Sequence, residues 1–185
     1  YTSRMYSEFE KEFKMQFTTN YKNNERNDLL PAGQYEMIIT RVKHDATKKG
    51  TEYISISMVV RNDLDQALPD TNGKAHNRYY THFMWPNRET GDLEPADMQY
   101  VFEAAGIPEG TVINSFEELT KQLVNKPVRL KIGVYTPKDG GETRNSTWPN
   151  NFDKTQFPQV QHVFKKKQQS QPDVGAGITD SDLPF

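Results

Sequence analysis

The sequence predicts a mostly β domain: a five-stranded barrel with a helical insert between strands 3 and 4, followed by a disordered C-terminal tail. Three observations carry this expectation. Apolar and polar residues alternate in several runs, most cleanly at Ile54-Ser55-Ile56-Ser57, and a period of two marks a half-buried strand. One interval between the runs switches to helical spacing. After Lys165-Lys166-Lys167 the chain turns to Gln, Gly and Pro, a composition that cannot bury a core. Of 185 residues only 34% are hydrophobic, and the mean hydropathy is -0.87. Both values are low for a chain packed throughout.

The elements follow in order. Residues 1–29 form an N-terminal arm. Phe9, Phe13 and Phe17 recur at every fourth position, and Ser7 with Glu10 suits a capping box, so the arm reads as a short helix or as an irregular segment that lays its rings on the barrel. Pro31-Ala32-Gly33 opens the domain, and Gln34–Val42 is the first strand. A turn over His44–Thr51 leads to the second strand, Glu52–Val60. Residues 61–76 are polar and carry Pro69, Asn72 and Gly73, which predicts a long loop. Arg78–Trp85 is an aromatic-rich third strand.

The period then becomes helical. Met98, Val101, Phe102 and Ala105 trace one face from Pro95 until Gly106 stops the helix. Ser115-Phe116-Glu117-Glu118 opens a second helix with a capping box. Pro127–Tyr135 is the fourth strand, with Arg129 and Lys131 on its polar side. Lys138-Asp139-Gly140-Gly141 turns into a fifth strand near Thr143–Trp148, and Asn150–Pro158 is irregular. Five strands with a helix between the third and fourth is the order of an OB-fold. The chain therefore divides into the arm (1–29), an OB-like domain (30–164), a flexible linker (165–179) and a terminal tip (180–185).

Composition narrows the chemistry. Cysteine is absent, which excludes disulfides, thiolate metal sites and cysteine nucleophiles and fits a reducing cytoplasm. No apolar run approaches the ~20 residues that cross a bilayer, and Tyr1–Met5 does not open a signal peptide. The net charge is -2, but three acids and no base lie from Gln168 onward, so the body carries 23 bases against 22 acids. Any basic groove must come from local clustering.

The most specific feature is the tip, Asp180-Ser181-Asp182-Leu183-Pro184-Phe185. An apolar end with a carboxylate and flanking acids suits a pocket with an apolar floor and a basic rim. Pro184 restrains the backbone and lowers the cost of ordering it. Asp180, Asp182, Leu183, Pro184 and Phe185 are the expected docking residues.

That hexapeptide resembles the acidic tail tip of bacterial single-stranded DNA-binding proteins. The body is similar to phage-encoded OB-fold single-stranded DNA-binding proteins. It shares their Pro-x-Gly-x-Tyr opening (Pro31, Gly33, Tyr35) and their Gly-x-x-Tyr-Ile second strand (Gly50, Tyr53, Ile54) over about Leu30–Phe157. The resemblance implies coating of single-stranded DNA in replication, recombination and repair. It also implies recruitment of helicase loaders, primase, recombinases or nucleases through the tip. Such proteins act as monomers, dimers or tetramers, so a homo-oligomer is compatible with it.

The residues themselves offer the parts such binding needs, since single-strand binders stack bases on rings and track phosphates with Lys and Arg. The expected stacking residues are Tyr53, Tyr79, Trp85, Tyr135 and Trp148. Phe83 is better placed in the core, and Tyr79 and Tyr80 point to opposite faces. The expected phosphate contacts are Lys43, Lys48, Lys49, Arg78, Arg88, Arg129, Lys131 and Arg144, taken as a group because single surface cations are usually just solvated. No cofactor is expected, for the sequence has no phosphate loop and no metal-ligand His spacing. Two alternatives come from other classes. One is an adaptor whose barrel binds protein. The other is a metal-dependent nuclease built on His44, Asp45, His82, Asp63, Asp65 and Asp70, although Asp is ordinary in a turn-rich loop.

Overall fold

A computed structural model describes residues 29–165. The arm up to Asn27-Asp28, the linker beyond Lys165 and the tip lie outside them. The chain forms β1 (Gly33–Ala46), β2 (Glu52–Val60), β3 (Tyr79–Met84), α1 (Pro95–Ala104), α2 (Phe116–Leu123), β4 (Pro127–Tyr135), β5 (Arg144–Ser146) and β6 (Phe152–Lys154). The mostly β architecture and the helical insert between the third and fourth strands are as expected. β2 and β4 coincide with the expected strands to the residue.

All pairings are antiparallel, in the order β3-β2-β1-β4-β5, with β6 also on β4. β1 is the spine. Its first part, Gly33–Ile38, pairs with β4, and Met37–Ala46 pairs with β2. The register shifts between Ile39 and Arg41. Such a bulge bends the strand and resets which residues face outward. After it Val42 is buried, while Arg41 and Lys43 are exposed.

The sheet is not closed into the expected five-stranded barrel. β3 pairs only with β2, and a sixth strand, β6, appears where irregular chain was expected. The reason lies at Pro149. The segment that would run beside β3 is broken into two three-residue strands by a helical turn at Pro149–Asn151, because proline has no N–H to give a ladder and its ring fixes φ. Side chains bridge the seam instead: the His82 and Phe152 rings meet edge-on at 5.3 Å.

The core lies on the inner face. Met37, Ile39 and Val42 of β1, Ile54, Ile56, Met58 and Val60 of β2, Met84 of β3 and Val128, Leu130 and Ile132 of β4 are all buried in it. α1 adds Val101 and Ala104 and α2 adds its last residue, Leu123, so the insert covers this face. α1 stops as expected, with Gly106 at φ 71, where glycine carries no Cβ penalty. Ser115 caps α2 as expected, its Oγ accepting from the Glu118 amide at 3.2 Å, while the Glu118 carboxylate reaches back to the Asn114 amide at 2.7 Å rather than to that of Ser115.

Residues 61–76 depart from the expected loop. They form a turn at Pro69–Gly73 that delivers Asn72, fully buried, against the sheet. Asn72 Nδ2 donates to the carbonyls of Glu36 and Arg61, and its Oδ1 accepts from the Glu36 amide. Gly73 is required there, since a Cβ would lie 2.9 Å from the Asp65 carbonyl. Beside it the fully buried Arg61 makes a two-pronged pair with Asp63, at 3.0 and 2.6 Å, and donates to the carbonyls of Phe157 and Gln159. The buried Glu36 carboxylate accepts from Thr155 and Gln156. Residues 155–163 are thus strapped across one end of the outer face.

Candidate nucleic-acid interface

The other end of the outer face is open, and strand geometry decides what stands on it. Successive side chains alternate between faces. On β2 the core takes Ile54, Ile56 and Met58, which leaves Tyr53, Ser55 and Ser57 outward. On β3 the core takes His82 and Met84, which leaves Tyr79, Thr81 and Phe83 outward, with Trp85 continuing the alternation. The register aligns these into rows: Lys43 opposite Ser55 opposite Phe83, Arg41 opposite Ser57 opposite Thr81, and Asp45 opposite Tyr53.

The small residues in the middle matter. Ser57 and Thr81 hydroxyls bond each other at 3.1 Å, and neither they nor Ser55 rise above the sheet. The rings beside them stand proud and pack as one cluster. Tyr53 lies 4.7 Å from Trp85 and 5.8 Å from Phe83, and Phe83 and Trp85 stack at 6.2 Å with 23° between their planes. Phe83 is 47% exposed, Trp85 50% and Tyr79 66%. Three mutually braced rings with free faces offer an apolar platform of fixed shape. Arg41 and Lys43 flank it on β1, and neither is engaged in an ion pair among the described residues.

Past Trp85 the platform runs into an open groove of about 850 Å³. Gly50–Glu52, from the β1–β2 turn, form one wall, and Trp85–Arg88 with Gly91 form the other. Lys48 and Lys49 precede Gly50 on that turn and are exposed. Its acids are partly engaged: the Glu52 carboxylate lies 3.3 Å from His44 Nε2, and Asp45 accepts from the Ala46 amide at 2.8 Å.

The expected site residues therefore divide. Tyr53, Trp85, Lys43 and Arg88 come together, with Lys48 and Lys49 on the adjoining turn and Tyr79 further along β3. Tyr80, as expected, turns inward, and burial pushes its phenol up to about 12. Tyr135 and Arg144 form a separate cation–π pair at 5.4 Å on the β4–β5 hairpin, with Lys131 on the same strand. Trp148 is 74% exposed and borders a separate depression with Asp97 and Tyr100; Asp97 also lines a small cavity beside Trp85. Arg129 is half-buried and paired with Asp153 at 3.3 Å, so its charge is already matched. Arg78 is half-buried at the foot of β3, where its charge opposes the burial that raises the Tyr35 phenol.

Two members of the platform escaped the sequence reading. Phe83 was assigned to the core and is instead half-exposed at its centre, and Arg41 was not singled out. The signal for Phe83 was present: Tyr79, Phe83 and Trp85 share a parity. The residues of the nuclease alternative disperse. Asp63 holds Arg61, Asp65 pairs with His76 at 2.8 Å, Asp70 with Lys74 at 2.9 Å and His44 with Glu52. His82 is buried on the core side, and desolvation pushes its pKa down to about 4.

Among the described residues no helix is long and apolar enough to cross a membrane. No curated protein matches the chain. A family model described as a protein of unknown function (DUF669) matches residues 17–173, most of the chain, and the chain belongs to that family.

Proposed function

We propose that the chain binds single-stranded DNA without sequence specificity, on the outer face of β1–β3, and carries no catalytic activity. The observation that carries this reading is the braced cluster of Tyr53, Phe83 and Trp85 with Arg41 and Lys43 beside it on the same face. Every base has a π-face, so ring stacking is sequence-tolerant, at roughly 1–3 kcal/mol per base. A duplex hides those faces in its own stack, so the platform selects unpaired strands. The cations hold phosphates as the bases lie on the rings, and the groove past Trp85, with Arg88 and the Lys48-Lys49 turn, extends the path. The tip, Asp180–Phe185, supplies a tethered docking peptide for replication, recombination or repair proteins. The place of action on this reading is the cytoplasm.

The test uses Trp148→Phe, which leaves Trp85 as the sole tryptophan of the two in the chain. Titration with poly-dT should quench its fluorescence saturably, and duplex DNA should compete poorly. If the protein fails to bind at low salt, by fluorescence and by gel shift alike, the platform is not a DNA surface and a protein ligand takes its place.

A further inference from the structure

A second surface lies away from the platform, where α1, the loop after it and α2 enclose a groove of about 910 Å³. Its walls include Met98, Phe102, Ile107, Ile113 and Leu119. Met98, Phe102, Ile107 and Leu119 pack their inner sides on the core yet are only half-buried, so each also turns an apolar side into the groove. Glu103, Glu109 and Lys154 also line it, which gives a mainly acidic rim.

We infer that this groove receives the chain's own N-terminal segment, with Phe9, Phe13 and Phe17 as anchors. Three properties of that segment match it. Its rings recur at every fourth residue, a spacing that places them on one side of a helix over about 12 Å. Lys11 and Lys14 balance Glu10 and Glu12 among them, so the segment is neutral and Glu103 and Glu109 do not repel it. The tether is long enough: eleven residues separate Phe17 from Leu29, and that stretch spans up to about 40 Å when extended, against a radius of gyration near 14 Å for a domain this size. Another apolar segment outside the described residues, Leu183-Pro184-Phe185, would bring Asp180 and Asp182 against Glu103 and Glu109. Like charges there disfavour it. The inference is independent of what the platform binds.

The experiment replaces Phe13 with the photo-crosslinker p-benzoyl-phenylalanine in the full chain at low micromolar concentration, followed by peptide mapping. Docking in cis gives a monomeric product joined to the peptide carrying Met98 and Phe102 or to that carrying Leu119. Its yield should fall several-fold in the paired variant Phe9→Ala, Phe17→Ala, which removes the two flanking anchors. A product found only as a covalent dimer, one joined elsewhere on the domain, or none at all overturns the inference.

Discussion

Phe83 and Trp85 hold one another in place on the outer face, and each gives roughly half its surface to solvent. Removing either ring costs the fold little, since an exposed aromatic pair is worth about 0.5–1.5 kcal/mol beyond its area. On the proposed function it costs a bound base its platform. Phe83→Ala and Trp85→Ala should each weaken poly-dT binding by about 1–3 kcal/mol, or about 5- to 150-fold, and barely shift the melting temperature; Tyr135→Ala, on the far hairpin, is the control. Equal losses in all three would move the site off β2–β3. His82, one residue earlier on the buried side, makes a different prediction. Its Nε2 has no hydrogen-bond partner among the described residues, and desolvation holds its pKa near 4, against 6.5 ordinarily. The unfolded chain therefore binds the proton more readily. Stability is intact above about pH 6.5 and is lost as pH falls from there toward 4, by about 2 kcal/mol at pH 5. Denaturant melts of His82→Leu at pH 7.5 and 5 should show this loss reduced, and an undiminished loss would place the titrating group elsewhere. The parity of β3 made Phe83 legible, but its hydrophobicity argued for the core and the two signals conflicted. Arg41 was less legible, because the bulge at Ile39–Arg41 resets the face it occupies and nothing local announces it.

At the scale of elements, the strands and both helices were readable because each repeats a short-range pattern: alternation in β2 and β4, a proline start and glycine stop in α1, a capping box in α2. The strap over residues 155–163 and the turn around Asn72 repeat nothing. Their order comes from single polar side chains reaching across the chain, such as Arg61 to Phe157 and Gln159 or Glu36 to Gln156, and sequence spacing carries no trace of such bonds. They nonetheless decide where the platform ends, because the strap covers Glu36 while leaving Arg41 and Lys43 bare. Burial raises the Asp63 carboxyl, but hydrogen bonds from Arg61 and Gln161, together with the Arg61 charge, outweigh it and leave its pKa below the ordinary value. Arg61→Ala leaves Asp63 without its cation, and three carbonyl or carboxylate partners lose their donor. Breaking such a buried pair from one side costs about 3–5 kcal/mol. Chemical denaturation should show that loss, and hydrogen exchange should show the amides of Gln156 and Gln161 opening first. A variant within about 0.5 kcal/mol of the parent, the range of ordinary surface changes, would mean the strap is not fastened there.

For the whole molecule the proposed function raises the question of how a chain of net charge -2 would hold a polyanion. The answer is segregation. Residues 168–185 carry three acids and no base, so a chain ending at Lys167 has 23 bases against 22 acids and a net charge of +1. Within the domain Arg129 is tied to Asp153 and Arg61 to Asp63, whereas Arg41, Lys43, Lys48, Lys49 and Arg88 surround the rings and the groove. If those five are the phosphate contacts, binding to poly-dT should weaken with a slope of about -3.5 in log affinity against log salt, at roughly 0.7 per contact for a single strand. Replacing Arg41 and Lys43 together with Gln should reduce that slope by about 1.4. Removing residues 168–185 acts differently, because it changes the distant field and leaves the contacts alone. It should tighten binding at low salt and leave the affinity unchanged at about 0.5 M, where the screening length is only a few ångströms. A slope unaltered by Arg41→Gln and Lys43→Gln would show that the strand does not follow β1, even if the rings prove to stack its bases.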